Sequence, residues 1–260
     1  MALFRCSFRS KVLQMDTIAN VVIPYDHYDL QGNPGQYDKV LYLLHGLKQN
    51  ADAWQRLSSA ERYANYYGYC LVMPEVQRSF YTDMEMGMPY FTYITEELPE
   101  MMHQMFRLPN RPDHTFVGGL SMGGYGALKC VLNHPEKYTG AICLSSGFFT
   151  LNRAEFLIQN YYPKGELQAI LGPELQAAED DDMEKVMQRH AVQQHKPYLY
   201  LACGTEDPLY PRTVEMRNLL RKNGLDVTYE EWPGIHDWRF WDVGLEKGMI
   251  FMNEQLKKRG

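Results

Sequence analysis

A serine stands between two glycines at Gly119-Leu120-Ser121-Met122-Gly123, where an apolar run passes directly into a helix-like one. Phe116 and Val117 read as a buried strand, and residues 122–132 carry alanine, leucine and valine at helical spacing. Glycines on both sides permit a tight, strained turn that pushes the hydroxyl out at the carboxyl edge of a sheet. The helix start adds free N–H groups and the positive end of a dipole beside that oxygen. A hydroxyl so placed attacks a carbonyl carbon only when a base takes its proton and an acid orients the base.

The base is expected near the carboxyl end. A polar-apolar alternation over 226–232 runs into Pro233-Gly234, and His236 follows on that loop before a final helical segment. Loops at strand ends are where a scaffold presents reactive groups. His27, His103, His134, His190 and His195 lie in polar or helical surroundings and read as surface residues, while His114 precedes the elbow strand and belongs at its far end.

The acid is expected between serine and histidine, at the end of another strand. Residues 197–204, PYLYLACG, are apolar almost throughout, as a strand covered on both faces requires. Thr205-Glu206-Asp207-Pro208 follows; Asp207 is the expected acid, with Glu206 open as the alternative one residue away. The acidic run Glu179-Asp180-Asp181-Asp182 reads instead as solvated surface or a helix start. The order Ser121, Asp207, His236 is that of the α/β-hydrolases. In that arrangement the imidazole takes the serine proton and returns it to the leaving alcohol, while the carboxylate holds its tautomer.

An oxyanion site completes the set. The apolar run VLYLL at 40–44 ends in His45-Gly46-Leu47, where this architecture supplies one backbone donor. Gly46 allows close backbone approach, so the N–H groups of Leu47 and Met122 are the expected pair. His45 reads as a structural residue whose ring fixes the loop.

The elements that must position these groups follow from periodicity. Strands are predicted at 3–8, 18–23, 40–44, 69–73, 116–117, 141–144, 197–204 and 226–232, with helices over 52–67, 92–106, 122–132 and 213–222 and at the carboxyl end. This alternation predicts an α/β fold: a mostly parallel central sheet with helices on both faces and an antiparallel edge from the early strands. Residues 148–195 break the rhythm and carry Phe148, Phe149, Phe156, Tyr161 and Tyr162, so they are expected to form a cap inserted over the site, with Phe148 and Phe156 facing the substrate beside Gly46.

Composition agrees with one α/β-hydrolase domain spanning 260 residues, 45% of them hydrophobic. A net charge of −6 offers no electrostatic case for nucleic acid or an anionic membrane. No apolar stretch reaches the roughly 18 residues of a membrane span. The charged, alternating amino terminus reads as a first strand rather than a signal peptide. Five cysteines, an odd set in mostly apolar runs, point to reduced thiols and a cytoplasmic setting. No metal-binding pattern is present, so no metal is expected; the expected partner is a small-molecule ester, and homo-oligomerisation is left open.

Five blocks, LLHGLKQNADAW, SFYTDMEMGMPYFTYITEELP, GLSMGGYGALK, CGTEDPLY and GIHDWRFWD, make residues 18–252 resemble the esterase D-like and tributyrin esterase group of α/β-hydrolases, which includes feruloyl and acetyl xylan esterases. The resemblance implies the same triad and oxyanion donors and cofactor-free activity on short-chain acyl esters, with acetyl or feruloyl esters of plant polysaccharides among the candidates. Two positions depart from the group: Lys48-Gln49 stands where such loops are often glycine-rich, and Pro208 follows the acid where an aromatic is common. S-formylglutathione hydrolases and mycolyltransferase-type acyltransferases are the alternatives. The first typically carries histidine before the serine, a position held here by Leu120.

Overall fold

The structure, a computed structural model, describes residues 1–28, 35, 37–146, 154–190 and 196–259. Strands β1 (Ala2–Arg9), β2 (Asp16–Ile23) and β3 (Lys39–Leu44) lead to helices α1 (Ala53–Leu57) and α2 (Ala60–Tyr67) and to β4 (Tyr69–Pro74). Helix α3 (Tyr90–Thr92) passes through a π-helical turn at Tyr93–Glu97 into α4 (Leu98–Phe106). Then come β5 (Thr115–Leu120), α5 (Met122–Asn133) and β6 (Gly140–Leu144). Helices α6 (Ala154–Asn160), α7 (Lys164–Leu171) and α8 (Met183–His190) precede β7 (Tyr198–Gly204), α9 (Tyr210–Lys222), β8 (Val227–Trp232) and α10 (Trp238–Arg259).

The strands form one sheet in the order β1-β2-β4-β3-β5-β6-β7-β8. Pairings β1–β2 and β2–β4 are antiparallel and the others parallel, so the expected parallel centre and antiparallel edge are both present. Every residue of β4, β5 and β6 is buried, whereas no residue of β1 is, because it closes an edge. Alternate residues of β3 serve opposite cores. Val40, Tyr42 and Leu44 pack with α4, α5 and α9 residues such as Met102, Leu128 and Met216, while Leu41 and Leu43 pack with Ala64 of α2 and Leu245 and Met249 of α10. Burying each such side chain stabilises the fold by about 1.5–3 kcal/mol. The result is a rigid sheet whose carboxyl ends carry the loops of interest.

Three expectations change in detail. The helix expected over 52–67 is two helices, because Ser58 takes an extended conformation and the Ser59 N–H donates to Asp242 of α10 at 2.6 Å, as does the Tyr63 hydroxyl at 3.0 Å. The helix expected from 92 begins at Tyr90 and widens at Tyr93–Glu97, where the Glu97 carboxylate accepts the Lys11 N–H at 2.6 Å and the Ser10 hydroxyl from the turn after β1. The acidic run at 179–182 is not all surface. Asp181 and Asp182 are buried, and Asp181 pairs with Lys129, itself buried on the helix that starts at the elbow.

Candidate active site

Ser121 follows β5 directly and caps α5 with φ 53° and ψ −120°, a region that non-glycine residues avoid. Two glycines make that conformation affordable to the surrounding packing. A Cβ on Gly119 would lie 2.4 Å from the Gly123 carbonyl, and one on Gly123 would lie 2.2 Å from the Leu44 carbonyl oxygen. Strand β5, helix α5 and the end of β3 therefore approach closely only because these positions lack side chains. The Ser121 N–H donates to the Leu144 carbonyl at 2.8 Å, tying the elbow to β6.

His236 stands on the loop between β8 and α10, and Asp207 on the loop after β7. The His236 Nδ1–H donates to Asp207 Oδ2 at 2.8 Å, and the second carboxylate oxygen accepts the Leu209 N–H at 2.8 Å. These loops are joined by backbone. The Thr205 N–H donates to Trp232 and the Glu206 N–H to Gly234, and a Cβ on Gly204 would meet the Gly234 oxygen at 2.2 Å. Glu206, the sequence alternative, is exposed, while the Asp207 side chain is fully buried beneath the ring. Burial by itself would raise the Asp207 carboxyl, but the His236 hydrogen bond and charge and the Leu209 N–H outweigh it, leaving the group below its ordinary value. Asp237 caps α10, its carboxylate accepting the Arg239 N–H at 3.1 Å, and Trp241 from the first turn meets the His236 ring edge-on at 4.8 Å.

The loop expected to supply an oxyanion donor is a tight turn closed by the Gln49 N–H on the Gly46 carbonyl at 3.1 Å, with the Gln49 side chain accepting the Gly46 N–H at 2.9 Å. The departure from a glycine-rich loop thus has a local account: Gln49 closes the turn with its own backbone and side chain. His45, fully buried, accepts the Val76 N–H on Nε2 at 3.2 Å, so its hydrogen is on Nδ1, which donates to the Gly46 carbonyl at 2.8 Å. Its ring fixes the loop, as expected. The N–H groups of Leu47 and Met122 donate to no acceptor among the described residues.

Gly46, Leu47, Leu120, Ser121, Met122, Phe80, Tyr161, His236 and Trp241 line one cavity of about 270 Å³, with Lys48 and Gln49 at its side. Ser121 and His236 share it without a hydrogen bond between them among the described residues, a spacing common before substrate binds. A wider cleft of about 400 Å³ lies at the amino ends of β5 and β6, but its Lys137 and Arg111 pair with Glu96 and Asp113, and no nucleophile and base meet there. Among the described residues no group of three or more His, Cys, Asp or Glu side chains is arranged to hold a metal ion.

Of the residues expected in a cap, Phe148 lies outside the described residues. Phe156 on α6 is not among those lining the cavity; its ring packs at 5.9 Å against Tyr161, which is. Of the aromatics expected in that segment, Tyr161 lines the cavity and Phe156 does not. Helices α6 to α8 contribute to the core, which Leu157, Leu167, Ile170, Met183 and Met187 all join. Phe80 was missed, lying with φ 56° on a loop that no periodicity marks.

The family model described as "Putative esterase" matches residues 10–252. The chain belongs to this esterase family. Such membership makes it a carboxylic ester hydrolase. The esterase is 31% identical to an acetyl esterase of Caldicellulosiruptor saccharolyticus, over 98% of this chain and 99% of that protein. Among solved structures it resembles the fluorophosphonate-binding serine hydrolase F of Staphylococcus aureus, at 28% identity and a TM-score of 0.84 over 97% of this chain and 98% of that one. An S-formylglutathione hydrolase of the same organism matches at 28% identity and a TM-score of 0.83, over the same shares of the two chains. No helix of the esterase, among the described residues, is long and apolar enough to cross a membrane.

Proposed function

We propose that this esterase hydrolyses short-chain acyl esters through an acyl-enzyme on Ser121. The observation that carries the reading is the 2.8 Å contact between His236 and the buried Asp207, made at the wall of the cavity that also holds the strained Ser121. His236 takes the hydroxyl proton as the Ser121 oxygen bonds to the ester carbonyl carbon. The negative charge that develops on the carbonyl oxygen is met by the Leu47 and Met122 N–H groups, which donate to no other acceptor among the described residues. His236 then protonates the leaving alcohol, the C–O bond breaks, and water admitted to the same base releases the acid and restores the serine. Asp207 keeps Nδ1 protonated and stabilises the transient imidazolium.

The small apolar cavity and the acetyl esterase relative support acetyl and similarly short acyl groups. A thioester of the S-formylglutathione type is the second reading, favoured by the S-formylglutathione hydrolase likeness. The test is turnover of 4-nitrophenyl esters from acetate to octanoate, of acetylated xylan and methyl ferulate, and of a formyl thioester. Wild type is compared with Ser121→Ala and labelled with a fluorophosphonate. Short oxygen esters should be the best substrates, one label should map to Ser121, and the variant should lose at least three orders of magnitude, roughly the scale of removing a nucleophile. A label elsewhere, or more than a tenth of the activity left in the variant, would overturn the assignment.

A further inference from the structure

We infer that Lys48 makes the mouth of this cavity a subsite for an anion carried on the leaving alcohol of the ester, an inference that rests on the esterase function proposed above. Lys48 is the one lysine or arginine lining the cavity among the described residues, and no carboxylate lines it. The walls next to it come from Leu47, Phe80, Leu120, Met122 and Trp241, all apolar or neutral. Two other cations near the site are neutralised: Arg78, which also donates to the Tyr161 carbonyl, pairs with Glu166, and Arg212, stacked on Phe156, pairs with Glu215. Lys48 has no ion-pair or hydrogen-bond partner among the described residues, so its charge is free to meet a group bound in the cavity it lines.

Its position is set by the turn. Lys48 is the third residue of the Gly46–Gln49 turn, directly after the Leu47 N–H, and the turn is held by Gln49, by the His45 ring and by the Tyr81 hydroxyl on the His45 carbonyl. The Lys48 backbone is therefore held one residue from the proposed Leu47 donor, while the side chain, a flexible stem ending in an ammonium, is exposed. An anion driven into the apolar interior would lose its hydration without compensation. One on the part of the ester that projects from the mouth meets Lys48 and stays hydrated. With the acyl group inside, the projecting part is the alcohol.

The test compares two ester pairs with wild type, Lys48→Met and Lys48→Glu. The alcohol pair is 4-acetoxybenzoate against neutral 4-acetoxybenzamide; the acyl pair is 4-nitrophenyl hemisuccinate against 4-nitrophenyl butyrate. Taking the ratio of kcat/KM within a pair, and comparing it between proteins, cancels leaving-group chemistry and any general effect of the loop. The alcohol-pair ratio should fall about two- to fivefold in Lys48→Met, the scale of a single exposed ion pair, and further in Lys48→Glu. Added salt should shrink the wild-type ratio and leave that of Lys48→Met nearly unmoved. An alcohol-pair ratio equal in all three proteins overturns the inference, as does a change confined to the acyl pair. Failure of the wild type to hydrolyse even the neutral esters would instead remove the esterase reading, and this one with it.

Discussion

The Tyr81 hydroxyl donates to the His45 carbonyl at 2.8 Å, while the Tyr81 carbonyl accepts from Lys129 Nζ at 2.9 Å. One residue thus ties the Gly46–Gln49 turn to the helix that begins at Ser121. Phe80 and Tyr81 both have φ near +55°, at 56° and 55°, a conformation that costs about 1–3 kcal/mol at a non-glycine residue and persists only where packing over-determines it. Burial holds the Tyr81 hydroxyl well above its ordinary value, so it is a protonated donor at neutral pH.

Tyr81→Phe leaves the buried His45 carbonyl without this donor. Its expected effect is a loss of about 1–3 kcal/mol in stability together with a fall in kcat larger than any rise in KM, because the turn that presents the Leu47 N–H is loosened. Urea unfolding and steady-state kinetics on one short ester read both. A stable variant with unchanged kcat would show that the His45 ring and Gln49 hold the turn without Tyr81.

Asp207→Asn should lower kcat by about three to four orders of magnitude, since an amide no longer holds Nδ1 protonated. Glu206→Gln should change it by less than a fewfold, because Glu206 joins the site through its backbone N–H and its side chain is exposed. The same substitution has a pH signature. The Asp207 carboxyl is depressed in the folded state, so as pH falls through the ordinary carboxylate range near about 4 the unfolded chain takes up a proton first. The Asp207 contribution to stability is fully present above the unfolded value and disappears as pH falls through the folded one. Wild type should therefore lose more stability than Asp207→Asn on acidification, and parallel curves from denaturant melts across that range would contradict the linkage.

Lys129 and Asp181, both almost fully buried, pair across the core, with Thr82 donating to the same carboxylate at 2.9 Å and the Phe91 ring 4.0 Å from the ammonium. Removing one partner strands a charge. Asp181→Asn should cost about 3–5 kcal/mol, whereas replacing both with apolar residues, as in Lys129→Met with Asp181→Leu, should recover much of that loss. Urea melts of the two singles and the double measure the coupling. A double variant as unstable as the sum of the singles would mean that the two charges act independently.

Tyr161→Ala should let longer acyl chains into the cavity that its ring lines, shifting preference by about 1 kcal/mol or somewhat more per methylene accommodated. Phe156→Ala should act more weakly, because that ring stands behind Tyr161. The acetate-to-octanoate series on both variants separates the two. A larger shift in Phe156→Ala than in Tyr161→Ala would put the selectivity element on α6 instead.

The elbow could be read from the chain because its requirements are local: two glycines, a serine, a strand before and a helix after lie within a few residues of one another. The parallel sheet was equally legible, since a strand covered on both faces must be apolar at nearly every position, as β4, β5 and β6 are. Asp207 was the expected acid, but the sequence left Glu206 open, because adjacent residues on a loop point in different directions and which one turns inward depends on bonds such as those from Thr205 and Glu206 to the β8 loop. Asp181 was misread for a related reason. A run of acids usually seeks water, and what reverses that here is a lysine 52 residues away that the fold buries against it. Spacing along a chain specifies turns and faces; which charge meets which, and which ring closes a cavity, are set when the layers pack.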